Sequence, residues 1–144
     1  MRIRTHIAPA LIVLAIGIFP TEAFKLYERF PYIDTLLHLL GGAAIAWFVS
    51  SLFERDTQRL SKPALIAFLV GVTTLVGVFW EFAEYYSNRN FREALPIVYR
   101  YFHGGDLADT LGDLAADIVG AALLAVPLVS SLKRAAEPRS ALRH

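Results

Sequence analysis

The sequence predicts an all-α membrane protein, a polytopic bundle of four transmembrane helices, on three observations. Its 144 residues are 56% hydrophobic and only 19% charged, with a mean hydropathy of +0.47, above the range of soluble domains. Four apolar runs divide the chain, and no internal repeat or low-complexity segment interrupts them. Basic residues alternate between the connections, as they do when successive helices cross a bilayer.

The first run, Ile7 to Phe19, is followed by Pro20 and needs residues up to about 26 to span, giving a predicted segment 7–26. Arg2 and Arg4 ahead of it imitate a signal peptide, but Pro20 and Glu22 make a poor cleavage site, and three more apolar runs follow. The second run, 33–53, is long enough at 1.5 Å per residue to cross about 30 Å of hydrocarbon. The third, 64–86, follows Ser61-Lys-Pro63, which reads as a helix start with proline in the first turn. The fourth, 107–132, begins after Gly104-Gly105 with Asp106 as N-cap, and Pro127 is expected to kink it without ending it. Residues 133–144 read as a basic cytoplasmic tail.

Nine basic residues fall on one side, in the N-terminus, the 55–62 connection and the tail; Lys25, Arg29, Arg89, Arg92 and Arg100 fall on the other. The positive-inside bias then places both termini in the cytoplasm and the segments 20–32 and 87–106 outside, where their tyrosines and phenylalanines suit a headgroup belt. The 87–102 stretch is a candidate lid. A net charge of +1 offers nothing to nucleic acid, and the absence of cysteine excludes disulfides, thiolate ligands and a cysteine nucleophile. Ser50 and Ser51 lie at the opposite end of their helix from His38, and no glycine-rich phosphate loop or HExxH is present.

The polar residues inside the apolar runs carry the functional reading. Asp109, Asp113 and Asp117 repeat at i, i+4, i+8 and share one helix face; Asp34 and His38 are i, i+4; Glu81 and Glu84 are i, i+3. With antiparallel neighbours, His38, Glu81 and Asp113 fall at one depth, about 8 Å below the outer interface. Asp34, Glu84 and Asp109 form a layer nearer the surface, and Asp117 lies deepest. Six carboxylates in a small volume demand protons or a cation, and an ionisable group within a span is a functional-site candidate. His38 is the one basic candidate at that depth, so a divalent metal is expected, and mixed imidazole and carboxylate ligation favours Zn, Mn or Fe over Mg.

On this reading His38, Glu81 and Asp113 are the first ligands, Asp34 and Asp109 support them or hold a second ion, and Glu84 and Asp117 complete the set. Four of these seven have a plainer alternative. His38 alone reads as a hydrogen-bonded structural residue, Asp34, Asp106 and Asp109 as helix caps, and Glu84 as interfacial. Glu81, Asp113 and Asp117 have apolar neighbours on both sides and no such alternative. Trp80 reads as a belt aromatic, and Gly41, Gly42, Gly71, Gly77, Gly112 and Gly120 as small residues that let helices approach.

These segments resemble the VanZ-like and YjdF-like small inner-membrane proteins. The resemblance lies in Asp34-Thr-Leu-Leu-His38 with Gly41-Gly42, in Trp80-Glu-Phe-Ala-Glu84, and in Asp109-Thr-Leu-Gly-Asp113-Leu-Ala-Ala-Asp117 before Gly120-Ala121. It spans Tyr32 to Ala121, and the VanZ-like pattern often has asparagine where Asp117 stands. The resemblance implies a multi-pass bacterial inner-membrane protein and a lipid-linked or amphiphilic envelope substrate. Three functions follow as expectations. The first is a metal-dependent hydrolase with Glu81 or Asp113 as base. The others are a proton-coupled carrier using Asp113 and Asp117, and a structural or partner-binding subunit. Substrate and oligomeric state stay open.

Overall fold

A computed structural model of the chain describes residues 29–53, 56, 59–96, 99 and 104–136. They form three helices: α1 (Ile33–Leu52), α2 (Lys62–Ala94) and α3 (Leu107–Ala136). All three are long and apolar enough to cross a membrane. The described residues are therefore all-helical with three candidate spans, and the fourth predicted segment, 7–26, lies outside them.

Local chemistry accounts for the helix ends. The Ser61 hydroxyl accepts from the Ala64 amide at 3.4 Å, and Pro63 sits in the first turn, as the sequence implies for the start of α2. Asp106 Oδ1 accepts from the amides of Ala108 and Asp109 at 2.9 and 3.1 Å and caps α3. Pro127 stands inside α3 without ending it. Asp34 is not a cap: Tyr32 occupies that position with no side-chain bond, and Asp34 lies within the first turn of α1.

Two helices outrun the predicted spans. α2 continues eight residues past Tyr86, because Ser87 to Ala94 contains neither glycine nor proline. It stops at Leu95, whose φ of −138° and ψ of 69° reflect the crowding that Pro96 imposes on its predecessor. The first half of the expected outer lid is thus helix. At 33 residues α2 is about 50 Å long, so its polar end projects beyond a hydrocarbon layer of about 30 Å. α3 likewise carries on from the expected end at 132 to Ala136; the remainder of the tail, 137–144, is outside the described residues.

α3 is the central helix, packed most extensively on α1 and next on α2, while α1 and α2 touch each other least. Neighbours in register show the directions. His38 lies by Asp113 and Asp117, and Gly42 by Asp117, so α1 and α3 run parallel. Gly77 meets Leu114 and Asp117, and Asn88 Nδ2 donates to the Gly104 carbonyl at 2.9 Å, so α2 is antiparallel to α3. Glycines set the closeness of the α1–α3 contact, since a Cβ at Gly42 would strike the Asp117 carbonyl and one at Gly120 the Leu39 carbonyl.

The bundle separates an apolar end from a polar one. Val49, Leu65, Leu69, Ala125 and Val129 form a buried cluster at one end, extended by Ile45, Phe48 and Phe68. Phe53 closes on Phe68 edge-to-face at 5.8 Å between centroids. Large side chains on the outer surface, among them Leu36, Leu75, Phe79, Phe82, Leu111 and Leu123, are exposed in the isolated chain, as a lipid-facing surface requires.

Candidate functional site

The polar end of the bundle collects the residues that the apolar flanks single out. Glu81 is 7% exposed, Asp113 3% and Asp117 6%, so each helical face that carries an acid turns it inward. They come from two helices, and α1 brings His38 between the two aspartates of α3. His38 Nε2 lies 3.9 Å from Asp113 Oδ2, and Nδ1 lies 3.4 Å from Asp117 Oδ1. One turn above, Asp34 joins them: Asp34, His38 and Asp113 each offer a ligand atom, all within 4.8 Å of one another.

Burying acids in this way is costly unless every oxygen finds a partner. Glu81 lies against the Thr110 side chain, yet its Oε1 is buried with no hydrogen-bond partner. Against at least three buried carboxylates there is one imidazole among the described residues, so a fully protonated His38 leaves excess negative charge among these apolar helices.

The outer layer expected of Asp34, Glu84 and Asp109 divides. Asp34 belongs with His38 and Asp113. Glu84 Oε1 instead accepts the Trp80 indole N–H at 2.8 Å on its own helix, with Glu84 Oε2 turned toward Gly104. Asp109 is exposed and its Oδ2 accepts the Gly105 amide at 2.8 Å, a reciprocal cap with Asp106 at the start of α3. Both acids are engaged locally. Asp117 is deepest of the acids, wedged between α1 and α2: a Cβ at Gly77 would strike its Oδ2.

The common depth does not follow from counting back from helix ends, because α2 overshoots the membrane surface. It follows instead from contacts: Glu81 faces Thr110, three residues before Asp113, and Gly77 faces Asp117. Below this level lies the apolar Val49–Leu69–Val129 cluster, with Ser50 and Thr73 buried on the same helices.

With that geometry in view, the family model described as a predicted membrane protein, DUF2238, matches residues 3–134. The chain belongs to this family. No curated protein and no solved structure matches it significantly. It is accordingly a membrane protein seated in a lipid bilayer, and its site can be read only from its own residues.

Three features of this DUF2238 chain escape the sequence reading. Trp80 is a hydrogen-bond donor to Glu84 and more than a belt aromatic, which its i, i+4 spacing from Glu84 could have suggested. Thr110 faces Glu81, hidden in sequence by its place beside Asp109. Asn88 ties the projecting end of α2 to the turn before α3, and no spacing rule announces a contact across sixteen residues.

Proposed function

We propose that this protein holds a divalent metal ion between Asp34, His38 and Asp113, beneath the outer surface of a bacterial inner membrane. The observation that carries this reading is the convergence of one imidazole and two carboxylates from two helices within 4.8 Å. The donor set suits Zn, Mn or Fe better than Mg. Ligand atoms about 2.1 Å from a tetrahedral ion stand about 3.4 Å apart, so closing the group asks for side-chain rotation and no helix movement. The unpartnered Glu81 Oε1, buried beside this group, gives a further carboxylate that a cation or a metal-bound water would satisfy.

In this proposal segment 7–26 is a fourth span, both termini are cytoplasmic and the site faces outward. The resemblance of its motifs to those of VanZ-like and YjdF-like proteins would fit an envelope location and a lipid-linked or amphiphilic substrate. The ion would polarise a phosphoryl or acyl oxygen of that substrate, and Glu81, the acid with an uncommitted oxygen, would serve as base. Asp113, weighed as a base from sequence, would act here as a ligand, a role its place in the convergent group supports. Glu84 and Asp109, engaged by Trp80 and Gly105, border the site. The carrier reading gains less support, because the convergence of His38 with Asp34 and Asp113 is what a bound cation asks for and proton transfer does not require it.

Metal analysis of the purified full-length protein tests the reading. One equivalent of metal per chain is expected, lost in both His38→Ala and Asp113→Asn. Wild type without metal, or both variants retaining it, would leave the acids as a helix-joining cluster.

A further inference from the structure

We propose that Asp117 is a positioning residue that orients His38 toward the ion, and is not itself a ligand. This rests on the metal reading above and adds a role that the aspartate ladder alone does not reveal.

The geometry separates the two nitrogens of the ring. Nδ1 faces Asp117 at 3.4 Å, while Nε2 faces Asp113, which belongs with Asp34 to the convergent group, at 3.9 Å. A carboxylate on Nδ1 holds the proton there, which leaves the Nε2 lone pair for a cation and fixes the plane of the ring. Asp117 cannot easily serve both purposes, because its carboxylate is held from behind. Gly77 of α2 abuts Oδ2, with Asp117 Cγ 3.3 Å from where a Cβ would stand, and Leu114 packs on the same spot. From α1, Gly42 presses on the Asp117 backbone, its absent Cβ 2.9 Å from the Asp117 Cα. Both neighbouring helices thus present glycine to this one residue. The carboxylate is clamped against His38, and its oxygens fall outside the convergent group of Asp34, His38 and Asp113.

The same geometry makes Gly77 part of the device. Alanine there pushes the carboxylate off Nδ1 while leaving every acid chemically intact.

Zinc competition titration against a chromophoric chelator, on the full-length protein in detergent, tests this in wild type, Asp117→Asn, Gly77→Ala and His38→Ala. Cobalt absorption on the same samples reports the donor set. Asp117→Asn and Gly77→Ala should each keep one zinc per chain and bind it roughly 10–100-fold more weakly. Their cobalt bands should shift but keep their intensity, and the metal-free melting temperature of Asp117→Asn should not fall. His38→Ala should lose the site. Unchanged zinc affinity in Asp117→Asn overturns the inference and leaves the metal reading standing; complete loss, as in His38→Ala, makes Asp117 a ligand and also overturns it. Should Asp117→Asn fail to fold, Gly77→Ala decides by the same two results. If wild type binds no zinc, the metal reading falls and takes this inference with it.

Discussion

Replacing Gly120 with alanine puts the α1–α3 contact to a quantitative test. A Cβ at Gly120 would stand on the Leu39 carbonyl, 2.8 Å from its carbon and 3.1 Å from the Leu39 Cα. These are backbone atoms, which no rotamer change can move, and ordinary carbon contacts begin near 3.4 Å. The helices must part by at least about half an ångström, and such overpacking costs about 1–3 kcal/mol. Gly112 supplies the control on the same helix, since nothing lies within 4 Å of its missing Cβ. Alanine there meets no obstacle and recovers up to about 1 kcal/mol of helix propensity. Denaturation of the detergent-solubilised protein, followed by the fluorescence of Trp47 and Trp80, reads both variants. Gly120→Ala should melt clearly below wild type, and Gly112→Ala at or above it. Equal stability of the two variants, in either direction, would refute the close α1–α3 crossing and with it the placement of His38 between Asp113 and Asp117.

Three further outcomes follow from the site. Asp109→Ala, which removes the oxygen that accepts the Gly105 amide, should lower stability by about 0.5–2 kcal/mol through the weakened start of α3, with metal content unchanged, as metal analysis beside a melting curve will show. Trp80→Phe removes the 2.8 Å bond to Glu84 and should cost about 1.5–3 kcal/mol, read by the same melting curve, because the acceptor is a carboxylate left without its donor. Chelator should lower the melting temperature of wild type and leave that of His38→Ala unmoved; at metal concentrations a hundredfold above Kd the linkage amounts to about 2.7 kcal/mol.

Hydropathy makes the three described spans legible, because a lipid-facing helix must be apolar over its full crossing whatever its neighbours are. The burial of Glu81, Asp113 and Asp117 is legible for the same reason: an acid with apolar residues on both sides can only turn inward. Helix length beyond the membrane is not written in hydropathy. Ser87 to Ala94 is polar and reads as loop by composition, while its lack of breakers lets α2 continue to the Leu95-Pro96 stop. The division of labour among the acids is equally hidden, since it depends on the rotation and closeness of helices. In sequence Asp34, at i, i+4, is the natural supporting partner of His38, and Asp117 is only the deepest acid. The glycines at 42 and 77 decide between them, by clamping Asp117 while Asp34 joins Asp113. Glycine in these spans is visible as a small residue; which helix it admits is not.

The central claim is that acids of α1 and α3 converge with His38 on one cation under the outer surface. X-ray absorption at the zinc edge of zinc-loaded protein measures this directly. The account predicts one imidazole among oxygen neighbours at about 2.0–2.2 Å, with the imidazole signal gone in His38→Ala. A spectrum with no imidazole in wild type, or one identical in His38→Ala, would contradict it.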